Sequence, residues 1–279
     1  MFTNNPFAAL SDFLPPAVIQ TYVAVMIFLV VAGTLFDVIH KGSASYFFNS
    51  WRKSKNKGTK EVGGGELVSI AVQTAVVDVL TSGEFCNPRR RLAHLLTMYG
   101  FIIYLVTTVM MVYCYPTAAT PTPELVPQLW WLGGLMVCLG GYWFWFFIRV
   151  DVAAEGGSPF RVMRADLFIL SLLASVTLGL CWAYAQAKGG ICANALFGLY
   201  IIATTVLFGS VPWSKFAHMF FKPAAAFEKR VSKANGTVDN LPTLSRDDPE
   251  QQKRHSMELL RDAPMYMGLG IKREPPRHY

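Results

Sequence analysis

Residues 89–114, RRRLAHLLTMYGFIIYLVTTVMMVYC, contain three arginines followed by an apolar run, Leu92–Cys114, that has no Lys, Arg, Asp or Glu. A membrane-spanning helix needs about 20 mainly apolar residues, so this run is long enough to cross a bilayer. Basic residues beside a span remain on the cytoplasmic side of the membrane. The stretch therefore predicts a helix that begins at the cytoplasmic face and runs outward.

The composition of the whole chain agrees with this prediction. Of its 279 residues, 53% are hydrophobic and only 15% are charged, which is too apolar for an ordinary soluble domain. Four further runs have the length of a span: Val18–Ile39, Leu129–Val150, Leu167–Ala187 and Ala193–Phe216. The sequence predicts an all-α integral membrane protein with a bundle of five transmembrane helices. Residues 1–39 lack Lys and Arg, so we expect a retained first helix rather than a signal peptide.

The Lys and Arg residues are distributed unequally between the two sides of these spans. The loop 40–66, the cluster Arg89–Arg91, the loop after the third span and the C-terminal tail are basic, whereas the opposite side has only Lys188. Because cytoplasmic loops carry the excess of Lys and Arg, we expect the N-terminus outside and the C-terminus in the cytoplasm.

The segment LVSIAVQTAVVDVL, residues 67–80, is apolar but short, and it contains Gln73 and Asp78. If it crossed the membrane, the Lys-rich loop and the arginine cluster would face opposite sides. We therefore expect a helix at the cytoplasmic interface. A partner subunit that covers this segment is the alternative.

The predicted membrane domain, residues 1–221, is followed by a polar tail, residues 222–279, with mixed charge and several prolines. Such a composition cannot build a core of its own. One interpretation is a disordered tail. The other is a segment that docks a soluble cytoplasmic partner, with Met257, Leu259 and Leu260 as apolar anchors.

Histidines lie at the predicted cytoplasmic ends of three spans: His40, His94 and His218. A b-type haem takes axial ligands from opposite sides of its ring, and facing helices of a bundle can supply them. His94 and His218 at matched depth therefore predict one bis-imidazole site. Histidines at a membrane interface also occur without a cofactor.

The neighbourhood of these histidines suits a haem. We expect Gly100 to let a flat ring approach the backbone, and Pro212 to bend the fifth span and free backbone groups near Ser214. Basic side chains can pair with the propionates; they are Arg89, Arg90, Arg91 and Lys215.

Two further features have a functional and a structural interpretation. Asp37 and His40 are spaced to share a helical face, as a proton relay for a quinone or as a solvated pair at the helix end. The aromatic run 142–147, YWFWFF, suits a quinone pocket or, more commonly, a belt of lipid-facing rings.

The motifs PWSKFAHMFFKP and RRLAHLLTMYGF resemble the haem-binding helices of membrane cytochrome b subunits related to nitrate reductase gamma. That family includes the membrane subunits of heterodisulfide reductase and of the quinone-interacting Qmo complex. The resemblance covers about residues 85–225 and implies that His94 and His218 ligate haem iron. Members with two haems have a second, deeper histidine pair, which this chain lacks, so the resemblance implies one haem b.

The block GGYWFWFFIRVDVAAEGGSPFRVMRADLFILSLL and the ending RHSMELLRDAPMYMGLGIKREPPRHY are similar to membrane anchors of dissimilatory adenylylsulfate reductase in sulfur-oxidising bacteria. This resemblance implies a bacterial cytoplasmic membrane and a soluble iron–sulfur flavoprotein partner. It also implies an electron-transfer link to the quinone pool rather than a complete enzyme. A cofactor-free scaffold that tethers a soluble enzyme is the alternative function.

Overall fold

The computed structural model describes residues 2–40, 43–83, 85, 87–149, 157–163, 166–213 and 218–237, and every regular element in these ranges is helical. The α-helices, in chain order, are α1 (Pro16–His40), α2 (Ser43–Lys57), α3 (Gly64–Gln73), α4 (Pro88–Tyr113), α5 (Leu125–Trp143), α6 (Leu167–Ala187), α7 (Ala193–Gly209) and α8 (His218–Ala234). Helices α3 and α5 continue as π-helical turns, Thr74–Leu80 and Phe144–Ile148. Short 3₁₀ turns cover Ala8–Asp12 and Val211–Trp213.

Four of these helices are long and apolar enough to cross a membrane: Pro16–His40, Pro88–Tyr113, Leu125–Ile148 and Leu167–Ala187. Many of their large apolar side chains are exposed, such as Phe28 at 67% and Leu139 at 65%. Such exposed apolar side chains are unfavourable in water and favourable in lipid. A helix can lie in lipid because its backbone N–H and C=O groups are hydrogen-bonded within the helix. The chain is a multi-pass membrane protein.

The fifth predicted span, Ala193–Phe216, is shorter in the structure. Helix α7 has 17 residues and ends at Gly209. The 3₁₀ turn that follows contains Pro212, whose missing N–H cannot continue a helix ladder. This turn is anchored on α1: a Cβ placed on Gly33 would lie 3.1 Å from both Val211 Cβ and Pro212 Cδ. Val211 is fully buried there.

The chain divides into two compact units, residues 1–44 with 88–221 and residues 45–87 with 222–279. In the first unit, α4 packs closely on α5 and α6 packs on α7. Glycines make the α4–α5 contact close: a Cβ on Gly140 would lie 2.6 Å from Ala93 O, and one on Gly133 would lie 2.8 Å from Gly100 O. Small residues that let backbones approach are the usual way in which membrane helices associate.

The N-terminal segment covers one end of this first unit. The Phe7 ring is buried between two tryptophans, with ring centroids 6.1 Å from Trp130 and 5.2 Å from Trp182. Asn5 fixes the segment by donating from Nδ2 to Tyr115 O at 2.9 Å and to Thr122 Oγ1 at 3.1 Å. The same end therefore has a packed cover of aromatic rings.

The second unit is held by polar and aromatic contacts. Arg230 donates to both carboxylate oxygens of Asp78 at 2.7 and 3.0 Å. The Trp51 and Phe227 rings stack with centroids 5.6 Å apart. Asn235 O accepts hydrogen bonds from the backbone N–H of Thr59 at 2.9 Å and from that of the following residue. The beginning of the predicted tail, as far as residue 237, is thus packed against residues 45–87 within this unit.

The helix predicted near residues 67–80 is present as α3 and its π-helical continuation. One face of it exposes a row of apolar side chains at helical spacing: Val68 at 64%, Val72 at 57%, Val76 at 47% and Leu80 at 50%. The opposite face of the helix carries Asp78, which is the residue that pairs with Arg230. A helix with one apolar exposed face suits a membrane interface.

Candidate cofactor and intramembrane sites

His94 lies on the second turn of α4 and is partly buried. Phe101 and Leu105 follow it by seven and eleven residues, so all three share one face of the helix. Ala93, the neighbouring residue, faces α5 instead and is 1% exposed. The imidazole therefore projects from the face of α4 that lies away from the α4–α5 contact.

His218 is the first residue of α8, and the structure describes its backbone but not its side chain. Ser214 and Lys215 lie outside the described residues. The sequence predicts His218 just past the end of the last span, and the structure separates it from α7 by the turn at Val211–Trp213. His94 and His218 belong to the same compact unit, and their pairing stays a prediction.

The three arginines in the first turn of α4 have different environments. Arg90 donates from its guanidinium to Ile148 O at 3.2 Å, at the end of the π-helical continuation of α5. A cation is favourable at this C-terminal end because the last carbonyls of a helix carry partial negative charge. Arg89 is exposed and Arg91 is partly buried at the same end of α4.

Gly100 has a role in the structure that differs from the predicted one. A Cβ at this position would lie 2.7 Å from Gly133 O and 2.7 Å from Met136 Cβ. The space beside Gly100 is thus filled by α5, so the glycine serves a helix crossing and leaves no room for a porphyrin on that side.

Asp37 and His40 lie one turn apart on α1 in different surroundings. Asp37 is 2% exposed, which is unusual for a carboxylate on a span, whereas His40 is exposed and stacks on Phe36 with centroids 5.2 Å apart. Ionisable groups inside membrane segments are expensive and often functional. Asp37 therefore remains the stronger of the two candidates for a proton relay.

The aromatic run 142–147 does not form one pocket. Trp145 is buried beneath Arg149, whose guanidinium carbon lies 4.0 Å from the ring centroid. Phe147 is 72% exposed, and Tyr142 contacts Thr177 Oγ1 with its hydroxyl at 2.9 Å. The rings point in several directions, as rings in an interfacial belt do.

A buried ion pair, which sequence reasoning missed, joins the ends of two spans. Arg149 donates to Asp166 at 2.9 Å, and their side chains are only 6% and 11% exposed. Arg149 also donates to Arg161 O at 2.9 Å, while Asp166 accepts the backbone N–H of Met163 at 2.9 Å. The only signal in the sequence is that Arg149 ends one apolar run and Asp166 precedes the next.

A cavity in the first unit was also missed. It has a volume of about 220 Å³ and lies between α1, α4, α6 and α7. Its lining is apolar except for a few hydroxyl groups, carried by Tyr22, Tyr104, Thr108, Ser175, Tyr200 and Thr204. The signal in the sequence is weak: hydroxyl residues inside otherwise apolar runs, such as Tyr200 and Thr204 one turn apart.

Four cysteines in the described residues are free: Cys114, Cys138, Cys181 and Cys192.

Comparison of the chain with protein-family models, with curated proteins and with solved structures finds no match. The resemblance to membrane cytochrome b subunits thus rests on the motifs around His94 and His218 alone.

Proposed function

We propose that this chain is a haem b electron-transfer and anchor subunit. It would connect a cytoplasmic iron–sulfur flavoprotein of the adenylylsulfate reductase type with the membrane quinone pool. The observation that carries the proposal is the pair His94 and His218, each near a helix end within the first compact unit. The motifs around both residues resemble haem-binding helices, which adds the cytochrome b interpretation.

The donor set fits a b-type haem. Two imidazoles from different helices are a ligand set that gives a low-spin haem, and His94 is partly buried on a face of α4 that continues into apolar residues. Arg89 and Arg91 lie at the same end of α4, where guanidinium groups can pair with propionates. A bound haem would supply one-electron transfer, while His94 and His218 would hold it and the apolar face of α4 would form a wall beside it.

The proposal includes a topology of five spans with the N-terminus outside and the C-terminus in the cytoplasm of a bacterium. Helix α7, at 17 residues, is at the lower limit of length for a span. The Lys and Arg distribution supports the orientation, since Lys188 stands alone on the predicted outer side. His94 and His218 would then both lie near the cytoplasmic face, within reach of a soluble electron donor or acceptor.

The experiment that tests the function is a spectrum of the purified chain from haem-replete cells. We expect Soret and alpha bands of a b-type haem that shift on reduction with dithionite, and one haem per chain by pyridine haemochrome assay. A colourless protein that is monodisperse in detergent would contradict the proposal.

A cofactor-free scaffold is the second candidate function. The observation that favours it is that Gly100 and Arg90, which the sequence predicts to serve a haem site, are both engaged in packing α4 on α5. A scaffold would retain the soluble partner on membranes without any haem absorbance. Partner retention together with a colourless preparation would establish this second function.

A further inference from the structure

We propose that the second unit binds the membrane surface through anionic phospholipids. The outer face of α3 would lie among the lipid tails just below the headgroups, and lysines at the two ends of this helix would bind lipid phosphates. The inference uses neither His94 nor His218 and needs no haem. The proposed function and this lipid site can therefore fail separately.

Helix α3 and its π-helical continuation, Gly64–Leu80, turn their apolar side chains away from the second unit. The inward positions are Ile70, Thr74 and Asp78, whose side chains are almost wholly buried. At the helical repeat, the exposed row lies on the opposite side; it is Val68, Val72, Val76 and Leu80. In water an amphipathic helix buries its most apolar face. The reversed arrangement indicates that this face has an apolar environment.

Both carboxylates of this helix are neutralised within the second unit. Glu66 pairs with Lys60 at 3.1 Å, and Asp78 pairs with Arg230 at 2.7 Å. The exposed row itself contains no ionisable residue. Because burying an unpaired charge is costly, a face without charges can enter the headgroup region where a charged one could not.

A lysine lies at each end of the helix. Lys60 precedes α3, contacts Glu66 in its first turn and has a side chain that is 61% exposed. Lys222 of α8 is exposed, and its ammonium lies 5.5 Å from the ring centroid of Phe85, which follows the end of the helix. Lysine side chains lay their methylene groups along apolar surface and keep the ammonium in the polar layer. Both ammonium groups therefore suit lipid phosphates.

The charge of the second unit favours anionic lipids over neutral ones. Residues 45–87 and 222–237 contain nine Lys and Arg residues against five Asp and Glu residues. An anionic surface strengthens binding by about fivefold for each Lys or Arg close to it. The two lysines at the ends of α3 thus predict a preference of about 25-fold for a bilayer that contains phosphatidylglycerol.

The connectivity of the chain and the types of the exposed residues favour lipid over a soluble protein as the occupant. The spans α1 and α4 precede and follow residues 45–87, which are therefore tethered to the bilayer at both ends. Such a tether gives lipid a high effective concentration at this unit. Val and Leu, which form the exposed row, are under-represented at the energetic centres of protein interfaces, where Trp, Tyr and Arg are enriched.

The experiment measures the accessibility of a thiol in the middle of the row, in the full-length variant Val72→Cys. The chain is reconstituted in nanodiscs of phosphatidylcholine alone or of phosphatidylcholine mixed with phosphatidylglycerol. A neutral polyethylene-glycol maleimide modifies exposed thiols, and peptide mass spectrometry separates the new thiol from the native cysteines. We expect it to react about 10- to 25-fold more slowly in the mixed bilayer.

Three further variants make the test specific. Asn56→Cys, at an exposed position of α2, measures the effect of surface potential on thiol reactivity, which we expect to be about threefold. In the Val72→Cys chain, Lys60→Gln combined with Lys222→Gln should remove most of the difference between the two bilayers. Lys60→Arg combined with Lys222→Arg keeps both charges and should retain the difference.

Three results would overturn the proposal. Reaction of the Val72→Cys thiol as fast as that of Asn56→Cys in both bilayers would show that the α3 face lies in water. Slow reaction in both bilayers would show a cover that does not depend on headgroups, such as a protein subunit or a second copy of the chain. Loss of the difference in the arginine pair as well as in the glutamine pair would show that the lysines do not act through their charge.

Discussion

Gly100 of α4 and Gly133 of α5 face each other so closely that a Cβ on either would lie within 2.8 Å of the other's carbonyl oxygen. Gly140 repeats this contact two turns further along α5, against Ala93 and Thr97. Without a hydrophobic driving force in lipid, helix association depends on such close backbone packing. The α4–α5 pair is therefore sensitive to added side-chain atoms.

The first prediction concerns this crossing. Gly100→Ala should destabilise the bundle by about 1–3 kcal/mol, the usual cost of overpacking a filled contact. The matched control is Gly198→Ala on α7, where no atom lies within 4 Å of the added Cβ. Thermal unfolding in detergent, followed by circular dichroism, measures both. Equal stability of the two variants would contradict the close crossing.

The second prediction concerns the buried pair of Arg149 and Asp166. Asp166→Asn leaves a buried guanidinium without its counter-charge, and we expect a loss of about 3–5 kcal/mol. The control is Glu66→Gln, because Glu66 pairs with Lys60 at 3.1 Å with side chains 38% and 61% exposed. Exposed pairs contribute at most about 1 kcal/mol. Chemical unfolding should separate the variants, and similar midpoints would count against the structural role of Arg149.

The third prediction concerns the C-terminal tail. Truncation after Thr237 keeps every described contact of the second unit, including Arg230 with Asp78. If residues 238–279 dock the soluble flavoprotein, this truncated chain should lose the partner from membranes and retain its haem. Co-purification of the partner at the level of the full chain would oppose the docking role.

A longer truncation supplies the control for that experiment. Ending the chain after Phe227 also removes Arg230 and Asn235, which join α8 to residues 45–87. We expect this chain to be less stable than the one that ends at Thr237. Loss of the partner only with the longer truncation would assign docking to the folded part of the second unit and not to residues 238–279.

The fourth prediction concerns orientation. Reporter fusions after Lys188 and after Tyr279 should report opposite sides of the membrane, with Tyr279 in the cytoplasm, because the basic residues lie almost wholly on one side. Alkaline phosphatase and green fluorescent protein give complementary signals. Both fusions on the same side would require a different number of spans after α6.

Several elements could be predicted from the sequence because their cause is local. The helix predicted at Leu92–Cys114 is present as Pro88–Tyr113, and the start at Pro88 follows the preference of proline for the first turn. The helix predicted near residues 67–80 is likewise present. Long apolar runs and amphipathic spacing specify such elements without reference to neighbours.

The remaining features depend on which helices meet, which the sequence alone did not reveal. Pro212 predicted a bend, but the end of α7 at Gly209 also reflects the packing of Val211 against Gly33 on α1. In the sequence Gly100 suits a porphyrin, but in the structure α5 fills the space beside this glycine.

The most direct test of the central claim is the low-spin haem signal of histidine variants, measured by reduced-minus-oxidised absorbance on purified protein. His94→Ala and His218→Ala should each remove the signal while the chain remains monodisperse. His40→Ala is the matched control, because His40 is exposed and stacks on Phe36, and its spectrum should be that of the unaltered chain. A full signal in His94→Ala together with its loss in His40→Ala would contradict the pairing of His94 with His218.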